Sequence, residues 1–237
     1  MMKYKSYSVY DDEDFFEKYN QKRNKGDSPN ELIEKPIFDE LLGDINEKKI
    51  LDLGCGDGKM GAQLLNRGAK FYHGVEGSYK MASLAREVIT HTNSRIQTCD
   101  IENFDFPRNE YEVVISRLVF HLLENLELLF ESIRNCFKEN GLFIFSVEHP
   151  IITSNYESYH KQNKRKNWIV DNYFNTGERT NIWIGKKVIK YHRTLEDYWN
   201  LIKDSNFLIE DFKEAKPVKM YFESELEYQR RNRIPLF

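Results

Sequence analysis

The chain has 237 residues, of which 40% are hydrophobic and 31% charged, with a formal net charge of −3 and a pI of about 6.1. This length permits one large α/β domain or two small ones, and the slightly acidic charge argues against nucleic-acid binding, which needs a basic surface. The sequence contains no apolar run of the roughly 18 residues that cross a bilayer, and its three cysteines lack metal-ligand spacing and indicate a reducing compartment. We therefore expect a cytoplasmic protein with no bound metal and no membrane partner.

The first 46 residues predict two helices that precede the first strand. Residues 11–23 can form a helix with aromatic side chains on one face. The second helix, over residues 28–43, has a strong start signal, because Ser28 can cap it and Pro29 fits the first helical position.

A glycine-rich stretch follows, in which residues 50–61 are Ile-Leu-Asp-Leu-Gly-Cys-Gly-Asp-Gly-Lys-Met-Gly. An apolar strand, a tight turn and a helix start are typical of the place where an α/β sheet holds a nucleotide-like ligand. The glycine spacing also matches the dinucleotide fingerprint, with Glu76 about 20 residues further on. Asp52 argues against a dinucleotide, because a carboxylate beside the turn disfavours a pyrophosphate and suits a ligand that carries positive charge.

Strands and helices alternate from Ile50 onward, which predicts a parallel sheet. Five strands are expected, at residues 49–53, 71–76, 94–99, 113–116 and 142–147. Residues that step by three and four predict a helix over residues 125–138.

The alternation breaks over residues 148–193, which are rich in aromatic and polar side chains. Residues 182–184 and 188–191 could form a hairpin that turns at residues 185–187. A helix begins at Thr194, a sixth strand is expected at residues 207–215, and residues 233–237 resemble the start of a short seventh strand. We expect one domain over residues 1–237, with the insert at 148–193.

The stretch Leu51-Asp52-Leu53-Gly54-Cys55-Gly56-Asp57-Gly58 resembles the first motif of the class I S-adenosylmethionine-dependent methyltransferases. The resemblance covers about residues 32–208. Within the family, the sequence is similar to the small-molecule enzymes of the ubiquinone-biosynthesis-like, type 11 group. It implies an α/β, Rossmann-like, mostly parallel sheet of seven strands in the order 3-2-1-4-5-7-6. It also implies that residues 1–46 form a helical lid over S-adenosylmethionine and that the insert forms the acceptor pocket.

The resemblance assigns roles to residues at the ends of the strands. Glu76 would accept hydrogen bonds from both ribose hydroxyls, Asp100 would accept one from the adenine amino group, and Ile101 would pack on the adenine ring. Ser116 and Arg117 would meet the methionine part. The full set expected at the cofactor is Tyr19, Arg23, Asp52, Leu53, Gly54, Cys55, Gly56, Glu76, Gly77, Ser78, Met81, Asp100, Ile101, Ser116 and Arg117.

The acceptor is expected beyond the end of the fifth strand, because ligands bind at the carboxyl ends of strands in such sheets. His149 and His192 are the candidate catalytic residues, each as a base or an orienting group. The candidate substrate-binding residues are His121, Glu148, Tyr156, Trp168, Tyr173, Trp183 and Tyr191.

The predicted function is the transfer of a methyl group from S-adenosylmethionine to a nitrogen or oxygen of a small molecule, by a monomer or homodimer. Three alternatives stay open at this point. An RNA or protein methyltransferase has the basic run 161–166 in its favour. The others are an NAD-dependent oxidoreductase, which Asp52 disfavours, and a regulator that binds the cofactor without consuming it.

Overall fold

A computed structural model describes residues 3–23, 28–155 and 170–237 of the chain. Its strands are β1 (Lys3–Lys5), β2 (Lys49–Leu53), β3 (Phe71–Glu76), β4 (Ser94–Thr98), β5 (Tyr111–Arg117), β6 (Phe137–Ser146), β7 (Gly177–Trp183) and β8 (Lys186–His192). Its α-helices are α1 (Glu13–Arg23), α2 (Lys35–Leu42), α3 (Lys59–Asn66), α4 (Tyr79–Val88), α5 (Glu127–Cys136), α6 (Pro150–Thr153), α7 (Leu195–Asp204) and α8 (Glu225–Arg231). Shorter helical turns lie at Ser6–Asp11, Asn30–Glu34, Ile101–Asn103, Phe120–Leu122 and Lys219–Tyr221.

The central sheet contains β2 to β6, all parallel, in the order β4-β3-β2-β5-β6. This is the 3-2-1-4-5 part of the order expected from the sequence, and the Rossmann-like α/β class is confirmed. The inner strands are apolar because both faces of the sheet are covered. Leu51 and Leu53 on β2 face the core that contains α5, whereas Ile50 faces the core that contains α3.

The expected sixth and seventh strands are absent from the described residues, so the prediction of seven strands is wrong. Residues 207–217 run without a ladder partner, and β6 pairs only with β5 within the described ranges. A cavity of about 600 Å³ lies between β6 and residues 208–215. Two isolated backbone bonds tie down the end of the chain, from Ala215 N to the carbonyl of Phe237 and from His149 N to that of Leu236. An alternating pattern alone does not make a strand, because a strand needs a neighbour within hydrogen-bonding distance.

A second sheet of three strands, in the order β1-β8-β7, joins the N-terminal segment to the insert. Strands β7 and β8 form the expected antiparallel hairpin, with the turn at Ile184 and Gly185 instead of residues 185–187. Strand β1 adds to β8 in parallel, with Tyr4 opposite Val188, which the sequence did not predict. We call β1, β7 and β8 the small sheet.

The small sheet lies over the carboxyl ends of the central strands. Strand β8 packs against the turn Phe120–Leu122, which follows β5, and the turn Ser6–Asp11 packs against α4. Among the described residues, no helix is long and apolar enough to cross a membrane.

Candidate active site

The turn after β2 bends back onto β3. The amides of Gly54 and Cys55 donate to the carbonyl of Val75 over 2.8 and 3.1 Å. Gly54 has a φ of +82°, and a Cβ at this position would lie 2.4 Å from a methyl group of Val119. Both the backbone conformation and the close approach therefore require glycine here. Cys55 is buried, and burial raises the pKa of its thiol, so it fills space as a neutral group.

Asp52 lies beneath this turn with only 3% of its surface exposed. The hydroxyl of Tyr72, on β3, donates to its Oδ2 over 2.6 Å. Burial raises the pKa of Asp52 to about 6, although the Tyr72 hydrogen bond and the positive charge of Arg117 both act to lower it. Asp52 is thus a carboxylate held in an apolar setting.

Glu76 ends β3 and is 6% exposed. Its Oε2 accepts from the amide of Gly56 and its Oε1 from the amide of Ser78, both over 2.9 Å. Burial raises its pKa to about 7, against the effect of these two amides. Within the described ranges, neither Glu76 nor Asp52 forms an ion pair. The site therefore holds two buried carboxylates that no cationic side chain of the described residues neutralises.

Residues of the N-terminal segment cover the far end of this site. The ring of Tyr7 packs on Gly77, where a Cβ would lie 2.3 Å from it, and burial together with the nearby Asp100 raises the pKa of the Tyr7 hydroxyl. Asp11 accepts from the Ser78 hydroxyl over 2.7 Å. Ile101 is buried beside Asp100. Sequence reasoning missed Tyr7 and Asp11, since nothing local in a polar N-terminal segment marks them.

Helix α1 brings the expected pair Tyr19 and Arg23 to the glycine turn. Arg23 Nε donates to Asp57 Oδ2 over 2.7 Å, and Arg23 Nη1 donates to the Tyr19 hydroxyl over 3.2 Å. Asp57 is almost fully buried, and Lys59 Nζ lies 3.5 Å from it. Asp57 is in the quoted motif, but its ion pair with α1 could not be found from the sequence.

The expected methionine-side residues have other partners in this structure. The Ser116 hydroxyl donates to the carbonyl of Leu53 over 2.9 Å, so it ties β5 to β2. Arg117 pairs with the buried Glu34, with an Nη2–Oε2 distance of 2.5 Å. The Ser146 hydroxyl also donates to Glu34, over 2.6 Å. Glu34 is a further residue that the sequence did not indicate, and it links the N-terminal helices to β5 and β6.

A polar cluster lies at the ends of β5 and β6, where the sequence predicts the acceptor. His121 Nδ1 accepts from the amide of Glu148 over 3.4 Å, and burial lowers the pKa of His121 to about 4. Glu148 pairs with Lys190 of β8 at 2.5 Å. The Lys190 ammonium lies 5.7 Å from the centre of the Trp183 ring. The structure therefore brings the expected residues His121, Glu148 and Trp183 into one neighbourhood.

Four aromatic side chains form a continuous wall beside this cluster. The Trp183 ring lies 5.7 Å from Tyr10, 5.1 Å from Phe15 and 5.6 Å from Tyr19, each in an edge contact. Such edge-to-face pairs stabilise an aromatic cluster beyond the area they bury. The wall joins the N-terminal segment to the hairpin.

The two candidate catalytic histidines have both ring nitrogens in hydrogen bonds. His149 caps α6 by accepting from the amide of Ile151, and its Nε2 donates to Glu214 over 3.0 Å. His192 accepts from Thr153 over 2.8 Å and donates to the carbonyl of Tyr173 over 2.9 Å. Burial lowers the pKa of both rings.

The remaining acceptor candidates separate into two groups. Tyr173 contacts His192 with its ring, and Tyr191 donates to Glu124 over 3.3 Å. Tyr156, Trp168 and the basic run 161–166 lie outside the described residues.

The geometry fits a ligand with positive charge and adjacent hydroxyls. Two buried carboxylates without an ion pair favour a cation, and the paired oxygens of Glu76 suit a ribose diol. A pyrophosphate would have to lie close to Asp52, so a dinucleotide is disfavoured. S-adenosylmethionine has a sulfonium, an ammonium and an unphosphorylated ribose, and it meets these requirements.

Comparison with known proteins identifies the family. A family model described as a methyltransferase domain matches residues 51–145. An uncharacterized protein of Haemophilus influenzae is 34% identical over 217 residues, which cover 87% of this chain and 85% of that protein.

Two crystal structures are similar over most of their length. A Listeria monocytogenes protein assigned to the S-adenosylmethionine-dependent methyltransferases has 31% identity and a TM-score of 0.78, with 86% of this chain and 92% of that one covered. An S-adenosylmethionine-dependent methyltransferase of Mesorhizobium loti has 28% identity and the same TM-score of 0.78, with 86% and 94% covered. The chain belongs to the class I S-adenosylmethionine-dependent methyltransferases, and S-adenosylmethionine is its cofactor.

Proposed function

We propose that this methyltransferase acts on a nitrogen or oxygen of a small molecule. The observation that carries the proposal is the cover over the site: the small sheet and residues 7–23 lie across the carboxyl ends of the central strands. A covered site admits a small acceptor more readily than a folded RNA or protein. The net charge of −3 agrees with a protein that has no nucleic-acid partner. The proposal includes a cytoplasmic location and a monomer or homodimer.

The cofactor would be held by residues from three elements. Glu76 would accept from the ribose hydroxyls, Asp100 from the adenine amino group, and Asp52 would favour the positive charge. Tyr19 and Arg23 would close the lid through Asp57. S-adenosylmethionine supplies an electrophilic methyl group, so the work left to the chain is to align the acceptor and exclude water.

His121 is our candidate for orienting the acceptor. Its Nδ1 is occupied by the Glu148 amide, and within the part of the chain that the structure describes its Nε2 has no hydrogen-bond partner. Because burial lowers its pKa to about 4, the ring is neutral near pH 7. A neutral Nε2 can exchange a hydrogen bond with an amine or hydroxyl of the acceptor. The Glu148–Lys190 pair would add a polar rim without net charge.

The acceptor class is testable with methyl-labelled S-adenosylmethionine and a cell extract. After incubation, the extract is separated into small molecules, RNA and protein, and the label in each is measured. We expect the label in the small-molecule fraction, and a Glu76→Ala control should lose it. Label that accumulates in RNA or protein would contradict the small-molecule proposal, and its absence from every fraction would favour a regulator.

The histidine roles are testable once the acceptor is known. His121→Ala should lower kcat about 10- to 100-fold, within the range of losses for positioned polar groups, and should leave S-adenosylhomocysteine affinity within about twofold. The catalytic role predicted for His149 and His192 is tested in parallel. If His149→Ala and His192→Ala both keep full turnover and bind the cofactor normally, that prediction is wrong.

A further inference from the structure

Tyr72 makes a buried contact with the cofactor site that the sequence motif does not predict. Tyr72 is fully buried on β3, and its hydroxyl donates to Asp52 over 2.6 Å. The ring lies against Gly61 of α3, and its hydroxyl is close to Cys55 of the glycine-rich turn. Space for it exists only because residue 61 is glycine: a Cβ there would lie 2.4 Å from Tyr72 Cζ and 2.5 Å from Tyr72 Cε1.

This contact gives the third glycine of the motif a different purpose from the one it has in a dinucleotide site. There the third glycine allows a helix to pack closely on a strand. Here Gly61 leaves room for an aromatic ring whose polar end meets the carboxylate of the motif. The Gly-x-Gly-x-x-Gly spacing is therefore compatible with a positively charged ligand.

We propose that Tyr72 is a positioning residue for cofactor binding, whose hydroxyl stabilises the ionised form of the Asp52 carboxylate beside the cofactor. A hydrogen bond donated to a buried carboxylate stabilises the charged form. This inference rests on the cofactor role proposed for Asp52 and not on the identity of the acceptor.

The groups around Asp52 come from three directions. Tyr72 approaches from β3, Cys55 from the glycine turn, and Arg117 from β5. Glu76, the second carboxylate, adds a negative charge nearby. Of these, Tyr72 donates directly to Asp52, and Arg117 acts at longer range while paired with Glu34. Loss of the Tyr72 hydroxyl should therefore leave Asp52 without its main stabilising contact.

The test is the pH dependence of S-adenosylmethionine binding, measured by calorimetry from pH 5.5 to 8.5 for the wild type and Tyr72→Phe. Affinity should fall as the solution is made acidic. We expect the midpoint pH of this fall to be about one pH unit higher in the variant than in the wild type, and the two affinities to be similar at pH 8.5. The same rise should appear in the pH dependence of the melting temperature of the cofactor-free protein, which does not depend on turnover.

Tyr111→Phe is the matched control. Tyr111 is equally buried in the same sheet, but its hydroxyl lies 2.6 Å from Nδ1 of His73, far from the glycine turn in the hydrogen-bond network. It should lose a comparable amount of stability and keep the wild-type binding midpoint. A midpoint that does not move in Tyr72→Phe, or an equal loss of affinity at every pH, would overturn the proposal.

Asp52→Asn gives a second measurement that does not require Tyr72→Phe to fold. The proposal needs Asp52 to be the titrating group, so this variant should flatten the part of the pH profile assigned to it. A profile identical to wild type would overturn the proposal. If neither the wild type nor any variant binds the cofactor at any pH, the cofactor role of Asp52 fails, and the inference about Tyr72 is overturned with it.

Discussion

At the scale of single residues, burial of Asp52 and Glu76 contributes to the way the stability of the cofactor-free protein depends on pH. Burial raises the pKa of Asp52 to about 6 and that of Glu76 to about 7. Both values lie above those of an unfolded chain, near 4. Between about pH 4 and 7 the folded protein therefore holds protons that the unfolded chain has released. The contribution of these groups to the free energy of unfolding must fall as the pH rises through this window.

We predict that Asp52→Asn and Glu76→Gln each reduce the fall in the free energy of unfolding between pH 4 and 7. Each pKa unit is worth about 1.4 kcal/mol. The free energy of unfolding of the double variant should therefore exceed that of the wild type by on the order of a few kcal/mol near pH 7.5, and by little near pH 4. Urea unfolding of the cofactor-free proteins at both pH values measures the difference.

Glu112→Gln serves as the control for this prediction. Its carboxylate accepts from the amide of Lys49 and pairs with Lys138, and these bonds lower its pKa. Removal of this carboxylate should lower the free energy of unfolding near pH 7, which is the opposite of the effect expected for Asp52→Asn and Glu76→Gln. If the three variants shift the free energy of unfolding in the same direction at pH 7.5, burial does not raise the pKa of Asp52 and Glu76 as described.

Site residues could be predicted from the sequence where they belong to a short local motif. Asp52 and Glu76 belong to local patterns of strand, turn and helix. Glu34 does not, because its hydrogen bond to Ser146 joins positions 112 residues apart. Tyr72 looks like any aromatic residue of a buried strand, and only the structure shows its hydroxyl on Asp52.

At the scale of elements, α1 is fastened to the glycine turn by one ion pair. Arg23 is partly exposed, whereas Asp57 is almost fully buried, so loss of the arginine leaves a buried carboxylate with weaker partners. We predict that Arg23→Ala speeds cofactor dissociation about tenfold, as loss of one member of a buried charge pair acts mainly on the off-rate. Stopped-flow displacement of a fluorescent S-adenosylhomocysteine analogue measures it.

Lys22→Ala is the comparison for this variant, since Lys22 is the exposed neighbour on the same helix. It removes the same charge and should leave the off-rate unchanged. Equal off-rates in Arg23→Ala and wild type would show that α1 does not hold the cofactor in place.

Helix α7 shows what local sequence does predict. Its start was expected at Thr194, and the structure has the full capping box: Asp197 N donates to Thr194 Oγ1 over 3.1 Å, and Thr194 N donates to Asp197 Oδ2 over 2.7 Å. We predict that Thr194→Ala lowers the free energy of unfolding by about 1 kcal/mol. Denaturant unfolding measures it, with the exposed Thr92→Ala as the control. A loss of the same size in both variants would mean that the cap contributes nothing specific.

At the scale of the whole molecule, the sequence predicted the five parallel strands because each has its own apolar run and flanking turn. It predicted the hairpin of β7 and β8 but not the addition of β1 to it, because Lys3 of β1 pairs with Lys187 near the other end of the chain. It overpredicted strands at residues 207–215 and 233–237 for the related reason that pairing is decided by distant neighbours. The residues proposed for the cofactor were thus accessible from motifs, whereas the surroundings proposed for the acceptor depend on contacts between the N-terminal segment and the hairpin.

We expect the cofactor to stabilise the N-terminal segment and the central sheet together, because the proposed site lies between them. Arg23, Tyr7 and Asp11 reach the glycine turn, Asp100 and Ser78 from the N-terminal side. A ligand that binds only the folded state stabilises it by about 2.7 kcal/mol at 100 times its Kd, which is a rise in melting temperature of about 5–10 °C for a chain of this size. We predict this rise for S-adenosylhomocysteine and none for NAD at the same concentration, measured by thermal shift. Glu76→Ala should abolish the rise with S-adenosylhomocysteine. An equal rise with NAD would mean that Asp52 does not exclude a pyrophosphate. The prediction that its carboxylate makes the glycine turn unfavourable for a dinucleotide would then be wrong.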